Sequence, residues 1–91
     1  MLFALTAYDK PGALQTRLDN REAHLEYLES TGVVQQAGPL LNDELEMCGS
    51  LIILDVSDMA AAKTWAGGDP YAKAGLFETV SIVAWKRVIK E

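Results

Sequence analysis

Ninety-one residues are one domain's worth of chain, and the scaling of surface with size lets such a chain bury somewhat over ~60% of the surface its unfolded form exposes. Hydrophobic residues make up 49% and charged residues 23%, which sets the chain apart from disordered ones. A formal net charge of -5 argues against a nucleic-acid or anionic-membrane partner, because phosphates and acidic lipids are held by clustered Lys and Arg.

Leu2 to Tyr8 is short, apolar and strand-compatible, and Lys10-Pro11-Gly12 stops it with two of the strongest chain punctuators. It lacks the basic leader and small-residue cleavage site of an export signal, and Asp9 and Lys10 follow at once, so it reads as a first strand. From Ala13 to Ser30 the leucines Leu14, Leu18, Leu25 and Leu28 fall within a helical stripe, and Gly32 stands where a helix C-cap would be. This predicts one long helix resting on its leucines. Val33 to Leu41 reads as a second strand, bulged or bent at Gly38-Pro39 because proline cannot donate to a central ladder. The acidic stretch Asn42 to Glu46 is a hairpin connection.

Leu51 to Leu54 makes a third strand, ended by Asp55 to Asp58, where Ser57 or Asp58 caps a second helix that runs through Trp65 and is terminated by Gly67-Gly68. Asp69-Pro70 has the form of an N-cap followed by proline at the first helical position, opening a helix of one or two turns that Gly75 ends. Val80 to Ile89 is the last strand. The order β-α-β-β-α-β, without repeat or linker, predicts a single α+β domain over 1–91. The expected fold is ferredoxin-like, an antiparallel four-stranded sheet with helices on one face and a short extra helix before the last strand.

Helices on one face should leave the other face wet and the strands cleanly alternating. Leu51, Ile52, Ile53 and Leu54 instead put apolar groups on both faces, as do Val80, Ile82, Val83 and Trp85. A second copy of the chain is the economical cover, which predicts a homodimer packed sheet to sheet or closed into a shared barrel. No apolar run approaches the ~20 residues that span a bilayer, so no membrane partner is expected. Cys48 stands alone and nothing has the Cys/His spacing of a zinc site, which points to a reducing cytoplasm, Cys48 as a small buried hydrophobe, and no metal or other cofactor.

At 100° per residue, Arg17, Arg21 and His24 fall within about 60° of one another on the long helix, while Asp19, Glu22, Glu26 and Glu29 lie on the far side. Two guanidiniums and an imidazole at the margin of a core call for a polar partner, either a protein carboxylate or an anionic ligand held by arginine's forked donors. Asp69 is the acid presented by a tight, pre-organised turn. A hydrogen bond from one imidazole nitrogen to it would fix the tautomer and leave the other nitrogen to move a proton near neutral pH. The structural alternatives are a helix-edge histidine satisfied by its neighbours, an Asp that only caps a helix, and arginines paired with surface acids. Ser50 either lends a hydroxyl to the same pocket or satisfies backbone. Trp65 and Trp85 read as core or dimer interface, and Tyr71 as core or pocket wall.

In combination, the Arg-x-x-His of Arg21 and His24, Ala37-Gly38-Pro39, Gly49-Ser50, the Ala-Lys-x-Trp of Ala62 to Trp65, and Asp69-Pro70-Tyr71 leading to Ala74-Gly75-Leu76 are specific. In these features the chain resembles the YciI-like (YCII-related) family along essentially its whole length. The resemblance implies a small ferredoxin-like protein of the dimeric α+β barrel kind, with a His-Asp pair that falls here on His24 and Asp69. It does not imply one reaction, because most relatives lack an assigned activity and the best-known enzymatic example is a dehydrochlorinase acting on a chlorinated hydroxyquinol. Gly67-Gly68 and the short acidic hairpin are where this chain would reshape the pocket.

The expectation is a cofactor-independent enzyme that moves a proton, by elimination or isomerisation, on a small anionic or aromatic molecule. His24 would be the general acid/base, Asp69 its orienter, Arg21 and Arg17 the clamp for developing negative charge, and Ser50 and Tyr71 pocket polar groups. The alternative is a non-catalytic dimeric module that binds a small metabolite or assists a partner enzyme. A haem-binding or oxygen-using relative fits less well, since an arginine-flanked, carboxylate-paired histidine is a poor iron ligand.

Overall fold

In the first strand, β1 (Leu2–Asp9), alternation puts Phe3, Leu5 and Ala7 on one face, where all three are buried. The computed structural model describes residues 1–90, so Glu91, the last residue of the domain expected over 1–91, lies outside the described residues. β1 is central in an antiparallel sheet with β2 (Val34–Leu41), β3 (Met47–Asp55) and β4 (Phe77–Ala84), in the order β2-β3-β1-β4. Pro39 sits on the edge strand β2, where a missing N–H leaves no central ladder broken, and the register slips on either side of it. Helices α1 (Leu14–Ser30), α2 (Met59–Gly68) and α3 (Pro70–Lys73) complete the ferredoxin-like α+β arrangement. Among the described residues no helix is long and apolar enough to cross a membrane.

Register places Leu54, Ile52 and Ser50 of β3 opposite Phe3, Leu5 and Ala7, and this is the face the helices cover. Its core also holds Leu28, Ala62 and Trp65, and each larger apolar side chain there contributes about 1.5–3 kcal/mol by leaving water. Trp65 anchors its indole by donating to Thr31 Oγ1 at 2.9 Å. Trp85 lies on the opposite, uncovered face with Tyr8, Leu51 and Val83, all exposed.

Several sequence expectations are corrected. The last strand starts at Phe77 rather than Val80 and ends at Ala84 rather than Ile89, because its pairing with β1 spans those residues: Asp9 pairs with Phe77, Phe3 with Ala84, and Trp85 N–H donates to the Leu2 carbonyl as the final rung. The third strand begins at Met47, before the Leu51 to Leu54 run, because Met47 already pairs with Leu41 across the hairpin. Gly49 interrupts the apolar pattern since a Cβ there would meet the Ala7 carbonyl.

Helix α2 is capped by Asp58, whose Oδ1 accepts the Ala61 N–H at 2.8 Å, but it runs past Trp65 through both glycines. Gly68 serves close approach rather than termination: the Tyr27 hydroxyl, which donates to the Trp65 carbonyl at 2.7 Å, occupies the space a Cβ would need. Cys48 is half-buried rather than fully buried. The largest revision concerns α1. Leu14, Leu18 and Leu25 are 37%, 46% and 41% exposed, and the helix instead buries Arg17, His24 and Leu28.

Candidate active site

That rotation of α1 is set by polar partners on three other elements. Asp69 joins α2 to α3, and Pro70, lacking an N–H, starts α3 behind it. The carboxylate Oδ1 of Asp69 accepts two hydrogen bonds, from the Tyr71 backbone N–H at 2.9 Å and from His24 Nδ1 at 2.8 Å. The helix cap and the imidazole partner are thus one atom. Because an ionised carboxylate only accepts, Nδ1 carries the proton in this pair and Nε2 is the acceptor of the neutral ring. Both residues are buried, yet His24 also lines an open cleft.

Tyr71 completes the support of the imidazole. Its ring stacks on His24 with centroids 3.8 Å apart and planes 13° from parallel, and the Arg17 guanidinium carbon lies 4.6 Å from the same ring. Burial pushes the Tyr71 hydroxyl above its ordinary pKa of 10.0, against the pull of Arg17 and Arg21 and with help from the Asp69 charge. At neutral pH it is a donor.

Arg17 is 2% exposed and is matched inside the protein. Its Nε donates to Asp9 Oδ2 at 2.7 Å and its Nη2 to Asp9 Oδ1 at 2.8 Å, with a further bond from Nη2 to Ser50 Oγ at 3.0 Å. Burial pulls the guanidinium pKa down, but the hydrogen bond and charge of Asp9, joined by Tyr71, more than offset this and leave it above its ordinary range. Arg21, one turn further along α1, is exposed, lines the cleft, and has no ion pair among the described residues.

The cleft lies between α1 and β2, holds about 180 Å³, and has walls from Leu25, Leu28, Pro39, Met47 and Ile52, with Arg17, Arg21, His24, Ser50 and Tyr71 as its polar lining. That is space for about one six-membered ring. Five of the six residues expected at the site from sequence line this cleft, and the sixth, Asp69, stands behind His24. Sequence reasoning missed Asp9, whose signal was parity: it follows Phe3, Leu5 and Ala7 on the face that meets the helices. Among the described residues no cluster of three or more His, Cys, Asp or Glu is placed to hold a metal.

The fold and the cleft define a class: a ferredoxin-like α+β domain carrying a buried, hydrogen-bonded His-Asp pair under a one-ring pocket. The chain belongs to the YCII-related domain family, whose pattern matches residues 1–86. It is 37% identical to protein YciI of Escherichia coli, over 97% of this chain and 99% of that one. It is also similar to the solved structure of 5-chloro-2-hydroxyhydroquinone dehydrochlorinase (TftG) from Burkholderia phenoliruptrix AC1100 in complex with 2,5-dihydroxybenzoquinone, with 38% identity, a TM-score of 0.86 and 94% of each chain covered. SnoaB, a cofactor-independent oxygenase from Streptomyces nogalater, shares the fold alone, at a TM-score of 0.64 and 10% identity over 99% of this chain and 97% of that one.

Proposed function

We propose that this chain is a cofactor-independent enzyme, acting as a cytoplasmic homodimer, that moves a proton on a small anionic or aromatic molecule of about one ring. The observation that carries the reading is the 2.8 Å bond from His24 Nδ1 to Asp69, beside a cleft that His24 itself lines. Asp69 holds the imidazole in the tautomer whose Nε2 can take a proton, and Tyr71 holds the plane of the ring. In an elimination, Nε2 removes the substrate proton, the electron pair left behind forms the new π bond, and an anion departs. In an isomerisation the same proton returns at another atom. Either way negative charge develops on substrate oxygen, where Arg17, Arg21 and the hydroxyls of Tyr71 and Ser50 are the available partners lining the cleft.

The dehydrochlorinase relative supports elimination as the first reaction to try. Chloride release from 5-chloro-2-hydroxyhydroquinone, and proton exchange on other enolisable ring anions, should be catalysed by the native chain and reduced by at least about a hundredfold in His24→Ala. Full activity in that variant, with its fold intact, would sink the assignment.

A further inference from the structure

We propose that a second subsite adjoins the cleft along α1, and that the substrate is a ring anion bearing a side arm of about four or five atoms whose far end donates hydrogen bonds. A groove of about 420 Å³ lies beside the cleft on the Gly32 side, and the two share Leu25, Leu28 and Ala37 as common walls. Little stands between them. On the β2 side the shared wall is the methyl group of Ala37, and on the α1 side it is Leu25, left 41% exposed by the roll of the helix that buries Arg17 and His24. From Ala37 to Gln35 the strand advances roughly 6.6 Å, which sets the reach of the arm.

The groove differs from the cleft in chemistry. The cleft offers guanidiniums, an imidazole and hydroxyls, whereas the groove offers the carboxylate of Glu29 and the amides of Gln35 and Gln36. Glu29 is the ionisable side chain among the residues lining the groove, and it has no ion pair among the described residues. A carboxylate only accepts hydrogen bonds, so an ammonium or amide N–H at the end of the arm matches it and a carboxylate there is repelled. The backbone adds Gln35 to this wall. Val34 pairs with Leu54 and Gln36 with the next residue, Ile53, so Gln35 is the extra residue of a bulge in β2. Bulges of this kind re-aim side chains beside binding sites.

The inference rests on the cleft being the substrate site, and binding measurements separate the two. Titration calorimetry compares benzoate with para-butylbenzoate and with the ω-amino and ω-carboxy derivatives of the butyl compound, because all four share the ring anion and differ in the arm. The native chain should bind para-butylbenzoate about tenfold more tightly than benzoate. It should also prefer the amino arm to the carboxy arm by about tenfold. Glu29 and Gln35 are both exposed, so substitutions there should keep the fold. Glu29→Lys should reverse the order of the two charged arms, and Gln35→Trp, which puts an indole into the groove, should abolish the gain from the butyl arm. Both variants should bind benzoate within about twofold of the native chain. Benzoate binding with no gain from the butyl arm overturns the subsite and leaves the cleft in place. So does an unchanged order of the charged arms in Glu29→Lys, or a full butyl gain in Gln35→Trp. No binding of any of the four compounds at millimolar concentration overturns the subsite together with the reading of the cleft.

Discussion

Asp69 shows how two roles can share one atom, since its Oδ1 serves both the backbone of α3 and the imidazole of His24. Substitution separates them. Asp69→Asn keeps a capping oxygen but loses the charge, and should retain the fold while lowering turnover by about a hundredfold or more. Asp69→Ala should in addition cost about 1 kcal/mol through the lost cap, measured as a lower urea midpoint. The tyrosines give a second residue-scale prediction. Burial raises the pKa of both Tyr71 and Tyr27 above 10.0, with the Asp69 charge adding to the rise at Tyr27. A raised native pKa means the proton is held more tightly in the folded chain, so the stability this confers is full below the unfolded value of 10.0 and is lost as pH rises through the native one. Denaturant midpoints should therefore fall between about pH 9 and pH 11, and fall less steeply in Tyr71→Phe. A flat profile would contradict the burial argument.

At the scale of the element, α1 is where pattern and packing part. The leucines marked the stripe expected to face inward, yet only Leu28 of the four is buried, because a stripe has two margins and periodicity does not say which of them turns inward. Partners decided it: the carboxylates of Asp9 and Asp69 reach Arg17 and His24 and roll the helix so that Leu14, Leu18 and Leu25 stay outside. Leu28→Ala should then cost about 2–4 kcal/mol, whereas Leu18→Gln should stay within about 0.5 kcal/mol by urea denaturation. Equal costs at the two positions would place the helix wrongly. Gly68→Ala tests the neighbouring element, because a methyl there must displace the Tyr27 hydroxyl from the Trp65 carbonyl, and it should lower stability more than Gly67→Ala, where the space is open.

For the whole molecule, the uncovered face of the sheet carries the next question. Tyr8, Leu51, Val83 and Trp85 are exposed there, an apolar surface on the side away from the helices. The proposed homodimer would bury it. Sedimentation at micromolar concentration should give a dimer for the native chain, and Leu51→Asp combined with Val83→Asp should give a monomer that keeps the His24 to Asp69 pair, which lies on the other face. A native monomer would remove the dimer from the proposal and leave the cleft untouched.

What the sequence determined by itself was whatever depends on short-range chemistry. A short run of apolar, strand-compatible residues marked β1, Lys10-Pro11-Gly12 its end, and Asp69-Pro70 the start of α3, because each is a property of a few consecutive residues. The pairing of His24 with Asp69 was one of the alternatives the residues offered, because Asp69 is the acid on a tight, capped turn, and the family resemblance singled it out. Strand ends, the roll of α1 and the partner of Arg17 were not legible. A strand stops where its neighbour stops, so Ala84 ends β4 only because Leu2 begins β1. A buried charge is settled by whichever opposite charge arrives across the chain, and the sequence separation of eight between Asp9 and Arg17 closes only when β1 and α1 pack. Long-range electrostatics and pairing needed the tertiary structure, because they depend on distances that the order of residues does not contain.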